Sequence, residues 1–404
     1  MPQEGCVAED TDKVSRGAAG PPGAARAVNA RRVLAVLQRA GPLSRAELAR
    51  RTGLSAQAVS VIMRGLEEEG LIARGNPMRG RIGQPSVPMG LAPEGALFLG
   101  LKIGRRSAEM ALVDFLGHIR DRRRTHYAHP EPDAIRSFAR LAMDVLLAPL
   151  PTPLRTRVAG LGIAMPFRLW EWTRPLGLAP GAMDDWKTRD IRADLAGDCA
   201  FPVFLQNDAT AACGAELIFA DGPVPRDFLY FYIGHFVGGG LVLDGSLHVG
   251  RTGNAASLGP MPVPGAPGRQ LVDVASLHGL EARLGRATPA AEMIWTRHEG
   301  WDLPEAVLAD WRAEAADGLA HAIVSVASIV EIGEVRIDGW LPRSLIGALA
   351  GDTRAALGRL NTAGIGRLPV VQGSVGADAR VLGAAALPLA AGFMATPAED
   401  SPPR

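Results

Sequence analysis

Residues 42–70 constrain this chain more than any other stretch, because they predict two short helices joined by a tight turn. Ser44 is placed to cap the first helix, and Glu47, three residues later, completes a capping box. Gly53 suits the left-handed residue that follows a helix end. Ser55 is placed to cap a second helix. That helix has apolar residues at helical spacing, namely Ala58, Val59, Ile62, Met63 and Leu66.

Two helices joined by a short turn with a glycine form a helix-turn-helix, whose second helix enters the major groove of DNA. Gln57 lies early in that helix and can bond an adenine edge in two places. Arg64 lies further along and is expected to meet phosphate. The predicted DNA contacts in the two helices are Arg45, Ser55, Gln57, Ala58, Ser60 and Arg64. An ordinary helical hairpin is the alternative, but the caps, the glycine turn and the basic flanks favour DNA binding.

The segment after these helices predicts a short strand at residues 71–73 and a basic β-hairpin, or wing, at 74–89. The hairpin segment is rich in Gly, Pro and Arg. Its Arg79 and Arg81 could reach the DNA backbone or minor groove. A plain linker loop is the alternative.

The charge distribution separates a basic module from the rest of the chain. Residues 26–90 contain eleven Arg against four Glu, although the whole chain has 43 basic and 42 acidic residues. A basic module next to a mildly acidic remainder indicates a polyanionic partner for the first part only. The length of 404 residues favours two or three domains.

Cysteine usage and hydropathy limit the cellular location. Cys6, Cys199 and Cys213 are too widely spaced for a disulfide framework or a zinc pair. No apolar run reaches the ~18 residues that a membrane span needs, and the polar N-terminus does not resemble a signal peptide. We therefore expect a cytoplasmic protein with no membrane partner, associated with the nucleoid when it is bound to DNA.

The pattern along the chain predicts four segments. Residues 1–25 and 391–404 are expected to be disordered tails. Residues 26–90 form the DNA-binding module, whose first helix has an apolar stripe at Val28, Val33, Leu34 and Leu37. Residues 91–390 form an α/β domain, because predicted strands alternate with helices. The predicted strands and hairpins lie at 96–104, 106–127, 158–166, 201–207, 228–245 and 334–340, and the predicted helices at 135–150, 209–217, 305–333 and 377–390.

The order of these elements over residues 28–390 resembles the ROK family, named for repressors, open reading frames and sugar kinases. Residues 33–75 are similar to the DNA-binding head of the family's repressors, which the kinases lack. The wing of that head commonly carries Gly-x-Pro, as in Gly83-Gln84-Pro85 here, so the resemblance adds Gln84 to the DNA contacts. Residues 99–119, 204–216, 232–250 and 377–390 resemble the family's phosphate loops, Asn-Asp strand end and last helix. The resemblance implies an α-helical winged helix-turn-helix followed by a two-lobed, actin/hexokinase-like α/β domain.

The two phosphate loops depart from the kinase pattern. Lys102, Arg105 and Arg106 stand where the kinases have an Asp and a Gly-Gly-Thr. These cations could attract an anion, but they cannot position metal and phosphate as the kinase residues do. In the second loop His235 and Phe236 replace a Thr-Gly pair. We therefore expect no ATP-dependent catalysis, no catalytic residues and no cofactor.

The sugar-binding motifs are retained only in part. Asn207 and Asp208 stand where the kinases have the base for the sugar hydroxyl, and with Gly239 they are the candidate effector contacts. The alternative is that Asp208 caps a helix that starts at Ala209. The family's Gly-Glu-x-Gly-His motif and its cysteine loop are replaced, so no metal site of that kind is expected.

The sequence thus predicts a regulator, most readily a repressor of carbohydrate-related genes, that binds operator DNA as a homodimer or homotetramer. Its body is expected to be non-catalytic and to respond to a sugar or sugar derivative. Two alternatives stay open. One is an active sugar kinase with an added DNA-binding head, and the other is a scaffold whose body binds a protein partner.

Overall fold

The computed structural model describes residues 28–76, 87–173, 176–265, 267–285 and 288–395, which form a small head and a larger, two-lobed body. The predicted N-terminal tail and residues 396–404 of the predicted C-terminal tail lie outside the described residues.

The head consists of three helices and a pair of antiparallel strands. In chain order they are α1 (Val28–Ala40), α2 (Arg45–Thr52), α3 (Ala56–Glu68), β1 (Ile72–Arg74) and β2 (Met89–Leu91). Leu34, Leu48 and Val59, one from each helix, are completely buried in the same apolar cluster. Burying each such side chain contributes about 1.5–3 kcal/mol. The three predicted helices are therefore confirmed and pack around one core.

The first lobe of the body is built on a five-stranded sheet in the order β5-β4-β3-β6-β7. Its strands are β3 (Leu97–Ile103), β4 (Ser107–Val113), β5 (Ile119–His126), β6 (Val158–Met165) and β7 (Val203–Asn207). The first three are antiparallel neighbours, whereas β6 and β7 run parallel to β3. The chain continues through α4 (Pro132–Leu147), α5 (Thr152–Arg155), α6 (Ile191–Ala196) and α7 (Asp208–Phe219). Helices α4 and α6 share an apolar cluster with this sheet.

The second lobe is built on a second five-stranded sheet in the order β10-β9-β8-β11-β12. Its strands are β8 (Phe228–Ile233), β9 (Gly238–Leu243), β10 (Ser246–Leu247), β11 (Glu334–Gly339) and β12 (Val370–Gln372). Its helices are α8 (Leu271–Val274), α9 (Leu277–Leu284), α10 (Pro289–Thr296), α11 (Glu305–Ala327) and α12 (Arg343–Leu357). Side chains from this sheet and these helices form a third apolar cluster.

Two helices join the lobes. Helix α13 (Ala379–Phe393) lies on the first sheet, α7 lies on the second, and the two helices pack against each other. The approach is so close that a Cβ on Gly383 would lie 1.9 Å from the carbonyl oxygen of Ala211. A Cβ on Gly162 would lie 1.8 Å from the carbonyl oxygen of Ala384. Glycine is therefore required where α13 meets α7 and the first sheet.

The predicted elements of the body are confirmed, with differences at several boundaries. Helix α4 begins at Pro132 and ends at Leu147 rather than spanning 135–150. Helix α7 starts at Asp208, directly after β7, with no turn between them. Helix α11 ends at Ala327 rather than near residue 333, and α13 continues to Phe393, three residues past its predicted end.

Candidate nucleic-acid interface and inter-lobe cleft

Helix α3 has the cap and the turn that a helix-turn-helix needs. The hydroxyl of Ser55 accepts a hydrogen bond from the Ala58 amide across 3.1 Å. Gly53, in the turn before it, has a left-handed φ of +70°. Both features are as the sequence predicts, and they fix where α3 starts relative to α2.

The start of helix α2 follows the prediction only in part. The hydroxyl of Ser44 accepts a hydrogen bond from the Glu47 amide across 3.2 Å, so Ser44 is the cap. The structure contradicts the other half of the capping box, because the Glu47 carboxylate accepts bonds from Arg50 and Arg51. Two guanidinium groups within one helical turn compete successfully with a single backbone amide for this carboxylate.

The outer face of α3 presents the residues predicted to read DNA. Gln57 and Arg64 are exposed, and Ala58 is half-buried. Ser60 is also half-buried, and its hydroxyl donates a hydrogen bond to the Ala56 carbonyl across 2.8 Å. The hydroxyl oxygen of Ser60 remains available as an acceptor, whereas the amide of Gln57 can both donate and accept.

Two exposed arginines of the head are free to meet phosphate. Arg45, the first residue of α2, and Arg64 form no ion pair with any described residue. By contrast, Arg74 at the end of β1 bonds to Glu67 across 2.7 Å. Paired arginines are less available to phosphate, so Arg45 and Arg64 are the stronger candidates for backbone contact.

The base of the predicted wing is present. Ile72 pairs with Leu91 and Arg74 with Met89 in antiparallel register, and Leu43 forms an isolated bridge to Met89. The predicted contacts in the wing itself lie outside the described residues, namely Arg79, Arg81 and Gln84.

The first loop of the inter-lobe cleft is cationic. Lys102, near the end of β3, is buried, and its Nζ donates a hydrogen bond to the Ser107 hydroxyl across 3.0 Å. Burial, together with the smaller effect of the nearby Arg380, lowers the pKa of Lys102 to about 7 against the opposing effect of Glu109. The amine is therefore only partly charged at neutral pH.

The second loop places aromatic rings beside these cations. The guanidinium carbon of Arg105 lies 4.4 Å from the centre of the Phe236 ring and 5.3 Å from that of Trp172. Arg106 lies over Trp295 at 5.0 Å and forms an ion pair with Glu281 at 3.1 Å. These cation–π contacts hold the arginine side chains in place at the mouth of the cleft.

The cations surround a cavity of about 70 Å³ between the lobes. Its lining includes five basic side chains, which are Lys102, Arg105, Arg106, Arg124 and Arg380. Among the described residues, the lining also includes His235 but not Asn207, Asp208 or Gly239. The structure thus brings residues of both predicted phosphate loops together in one cavity, and none of the three candidate effector contacts lies in its wall.

The Asn207-Asp208 pair does not form the helix cap that the sequence offered as the alternative. Asn207, not Asp208, caps helix α7, because its side-chain oxygen accepts bonds from the Ala209 and Thr210 amides at 3.0 and 3.2 Å. The cap predicted at Asp208 is therefore wrong. Because the side-chain oxygen of Asn207 accepts both of these bonds, the Asp208 carboxylate does not cap the helix. It accepts a bond from Arg380 at 3.3 Å instead.

Gly239 lies inside the second sheet. It pairs with Phe231 in the β8–β9 ladder, and a Cβ there would lie 2.2 Å from Leu258 and 2.4 Å from the Tyr230 carbonyl oxygen. Close packing accounts for this glycine without any ligand.

Sequence reasoning did not single out Arg124 and Arg380 for the cleft. Arg124 lies on β5, where the sequence predicts only a strand, and it bonds to Glu109 at 2.6 Å. Arg380 comes from the first turn of α13. A signal was available for Arg380, since it is the one charged residue at the start of an otherwise apolar helix.

A larger cavity, of about 510 Å³, lies between the head and the body. Helix α1 forms one wall with Gln38 and Arg39, and helices α7 and α13 form the floor with small residues such as Gly214 and Ala386. The α1 helix of the head therefore rests on the two helices that join the lobes.

Metal and membrane sites were searched for in the described ranges. There, no group of three or more His, Cys, Asp or Glu side chains could hold a metal ion. Within the same ranges, no helix combines the length and the apolar character of a membrane span.

Comparison with known proteins identifies the family of this chain. Residues 98–388 match the model of the ROK family. The chain belongs to the ROK family. Residues 27–82 match the model of the MarR family. The two matches cover the head and the body separately, and together they agree with the winged helix-turn-helix and two-lobed fold that the sequence predicts.

Two curated relatives share part of this sequence. The chain is 26% identical to uncharacterized protein y4fQ of Sinorhizobium fredii over 379 residues, which cover 91% of this chain and 92% of that protein. It is 22% identical to the xylose repressor of Bacillus spizizenii over 236 residues, which cover 58% of this chain and 60% of the repressor.

Two solved structures share the fold. A ROK family transcriptional regulator, described as a homologue of the E. coli MLC protein, has a TM-score of 0.64 at 21% identity and covers 92% of this chain and 98% of its own. A ROK family glucokinase from Streptomyces griseus has a TM-score of 0.53 at 19% identity and covers 72% of this chain and 99% of its own. The fold of the ROK body is thus common to regulators and kinases, while the head has a counterpart in the regulator.

Proposed function

We propose that this ROK protein is a DNA-binding transcriptional regulator that represses carbohydrate-related genes. The observation that carries the proposal is helix α3, capped by Ser55, with Gln57 and Arg64 exposed on its outer face. A capped second helix with an adenine-reading amide and a free guanidinium has the chemistry of a recognition helix. The relative named as a xylose repressor supports the direction of regulation and the carbohydrate link.

The proposed DNA contacts divide into two kinds. Base edges are contacted by Gln57 and its neighbours Ser55, Ala58 and Ser60. The backbone or the minor groove is contacted by Arg45, Arg64 and the wing residues Arg79, Arg81 and Gln84. The protein acts as a homodimer or homotetramer. Two heads about 34–36 Å apart then read two half-sites of a palindrome.

The ROK body is proposed to be non-catalytic. In a kinase the carboxylate at the Asn-Asp position must be free to take a proton from the sugar hydroxyl. Here Asp208 is paired with Arg380, and Arg105 and Phe236 pack together where phosphate loops need open space. These contacts support a body that binds a ligand without transferring phosphate.

The ligand of the body is proposed to be a sugar or a sugar derivative bound between the lobes. A ligand shifts an equilibrium only when it binds one state better than another. Helix α1 of the head contacts α7 and α13, the helices that join the lobes. A change in the angle between the lobes would therefore reach the head through these helices and alter the spacing of the two recognition helices.

Genome-wide mapping of bound sites tests the regulator proposal. We expect the full-length protein to be enriched at a small set of palindromic sites near carbohydrate genes. Fluorescence anisotropy on those sites should give binding that is weakened by R64A. Replacement of an exposed arginine of the body, R192A, is the matched control and should leave binding unchanged. Absence of enrichment, together with no duplex binding at low salt, would overturn the proposal.

An active sugar kinase with an added head is the second candidate. It is favoured by the Asn207-Asp208 pair at the end of β7 and by the fold shared with the glucokinase. Sugar-dependent ADP release by the purified protein, abolished by D208A, would establish this reading in place of the non-catalytic one.

A further inference from the structure

Helix α3 carries an exposed apolar side chain in the middle of its outer face. Val61 is 63% exposed, whereas Val59, Met63 and Leu66 of the same helix are at most 2% exposed. Within α3, all of whose residues the structure describes, Val61 is the only large apolar side chain that lies mostly in water.

Neither helix formation nor packing accounts for a valine at this position. A β-branched side chain loses rotamer freedom in a helix, so valine suits an exposed helical position less well than alanine, lysine or arginine does. A side chain that is mostly exposed also gains little free energy from burial. The valine is therefore best explained by a contact that forms when a partner binds.

The neighbours of Val61 on the outer face are proposed DNA contacts. Gln57 precedes it by four residues and Arg64 follows it by three, and residues at these spacings lie side by side on one face of a helix. Both neighbours are exposed. Val61 thus lies between an amide that reads a base edge and a guanidinium that meets phosphate, so it faces the base pairs when α3 lies in the major groove.

We propose that Val61 is a specificity residue that recognises the C5-methyl group of a thymine in the major groove. Thymine is the base that presents an apolar group there, and apolar side chains contact it. The side chain of a helical valine is held mainly in one rotamer, so the contact costs little conformational entropy. The inference rests on the proposed function, since it requires α3 to lie in the major groove of operator DNA.

The geometry of α3 limits where this thymine lies. The four residues from Gln57 to Val61 rise about 6 Å along the helix axis. That distance is close to two base-pair steps of about 3.4 Å each. Each half-site of the operator should therefore contain a thymine within about two base pairs of the adenine that Gln57 reads.

A protein partner fits this surface less well. The centre of a protein interface is apolar and depleted of charged residues, but the side chains around Val61 on the outer face of α3 are polar, namely Gln57, Ser60 and Arg64. One apolar group among hydrogen-bonding side chains instead matches the major groove, where the thymine methyl group lies among donors and acceptors.

Uracil substitution in the operator tests the contact, because uracil differs from thymine only in lacking the C5-methyl group. Fluorescence anisotropy with the full-length protein measures the affinity for operators from the genome-wide mapping in which each thymine in turn is replaced. We expect the wild type to lose roughly four-fold in affinity at one thymine of each half-site, which is the effect of leaving one methyl group unburied. A wild type that binds every uracil operator as tightly as the original would overturn the proposal.

The V61A variant assigns the effect to this side chain. It should bind the original operator more weakly and show no further loss when the sensitive thymine is replaced. Alanine favours a helix more than valine does, so V61A should fold, which circular dichroism and the melting temperature check. A folded V61A that keeps the wild-type loss at that thymine would overturn the proposal.

The matched control is V145A. Val145 lies on α4 of the body and is 38% exposed, so this variant removes the same atoms from a helix outside the head. V145A should respond to each uracil as the wild type does.

The same titrations separate this inference from the proposed function. Operator binding that no uracil weakens would reject the thymine contact and leave the regulator proposal standing. Failure to bind any duplex at low salt would reject the regulator proposal, and the thymine contact with it.

Discussion

The guanidinium of Arg380 donates a hydrogen bond to the carboxylate of Asp208 across 3.3 Å, and each side chain is only 12% exposed. Asp208 is the first residue of α7, and Arg380 lies in the first turn of α13. The bond therefore ties together the two helices that join the lobes. It also occupies the carboxylate that a sugar kinase would use as its base.

Removing this carboxylate should affect stability rather than turnover. In D208A the Arg380 side chain, which is 12% exposed, loses the one carboxylate with which it pairs among the described residues, so the free energy of unfolding should fall by about 1–3 kcal/mol. Urea denaturation followed by circular dichroism measures this change. The control is D184A, which removes a half-exposed carboxylate and should cost under ~1 kcal/mol.

A coupled assay should detect no sugar-dependent ADP release in the wild type or either variant, and measurable wild-type turnover would contradict this expectation.

A second ion pair between α7 and the second sheet is more deeply buried. The Glu216 carboxylate is fully buried and accepts bonds from Arg336 at 2.7 Å and from the Ser374 amide at 2.9 Å. Its loss leaves the buried Arg336 guanidinium with Glu334 as its remaining carboxylate partner, and it removes the acceptor of the Ser374 and Val375 amides. We expect E216A to lose about 3–5 kcal/mol of unfolding free energy, measured by denaturant titration.

The matched control for this pair is available on the same arginine. Glu334 also bonds to Arg336 at 2.7 Å, but it is 22% exposed. E334A should therefore cost clearly less than E216A, because water can replace the lost partner. Equal losses of unfolding free energy in E216A and E334A would show that burial does not determine how much each carboxylate contributes to stability.

Local patterns in the sequence predict the head well, because each feature there depends on neighbours within a few residues. The Ser55 cap, the Gly53 turn and the buried Val33, Leu34 and Leu37 of α1 all follow from spacing. Val28, predicted to belong to the same stripe, is exposed because it is the first residue of α1. The Glu47 half of the capping box failed for an equally local reason, which is competition from Arg50 and Arg51.

The cleft could be predicted only in part, because its contacts join distant parts of the chain. The sequence indicates that Lys102 and Arg105 replace kinase residues. It does not indicate that Arg380, far along the chain, bonds to the Asp208 carboxylate, or that Asn207 rather than Asp208 caps α7. Only the packing of α13 between the sheets brings these groups together.

Lys102 should destabilise the protein at neutral pH. Its pKa is lowered from 10.5 to about 7 in the folded state, so the unfolded chain binds more protons between these two values. The free energy of unfolding therefore rises with pH across the window from about 7 to 10.5, and the full cost of the buried charge is present below pH 7. K102M should remove that cost and gain about 2–4 kcal/mol at pH 7.

Melting curves of K102M and the control K187M between pH 6 and 10 check this prediction. Lys187 is half-exposed and forms a surface ion pair with Asp184, so K187M should change the melting temperature little. The gain in K102M should shrink as the pH approaches 10. A gain that stays constant with pH would show that better packing, rather than removal of a buried charge, is its cause.

Gln57 and Arg64 should have separable effects on DNA binding. Gln57 is exposed early in α3, where its amide can take two bonds from one adenine, so Q57A should lose about 1–3 kcal/mol of discrimination at a single base pair. Arg64 has no ion-pair partner among the described residues and lies further along the helix. R64A should therefore weaken all duplexes alike and reduce the salt slope by about one. Anisotropy titrations over a series of salt concentrations, on the operator and on single-base variants, distinguish the two effects. Uniform weakening by Q57A with unaltered sequence preference would mean that another face of α3 reads the bases.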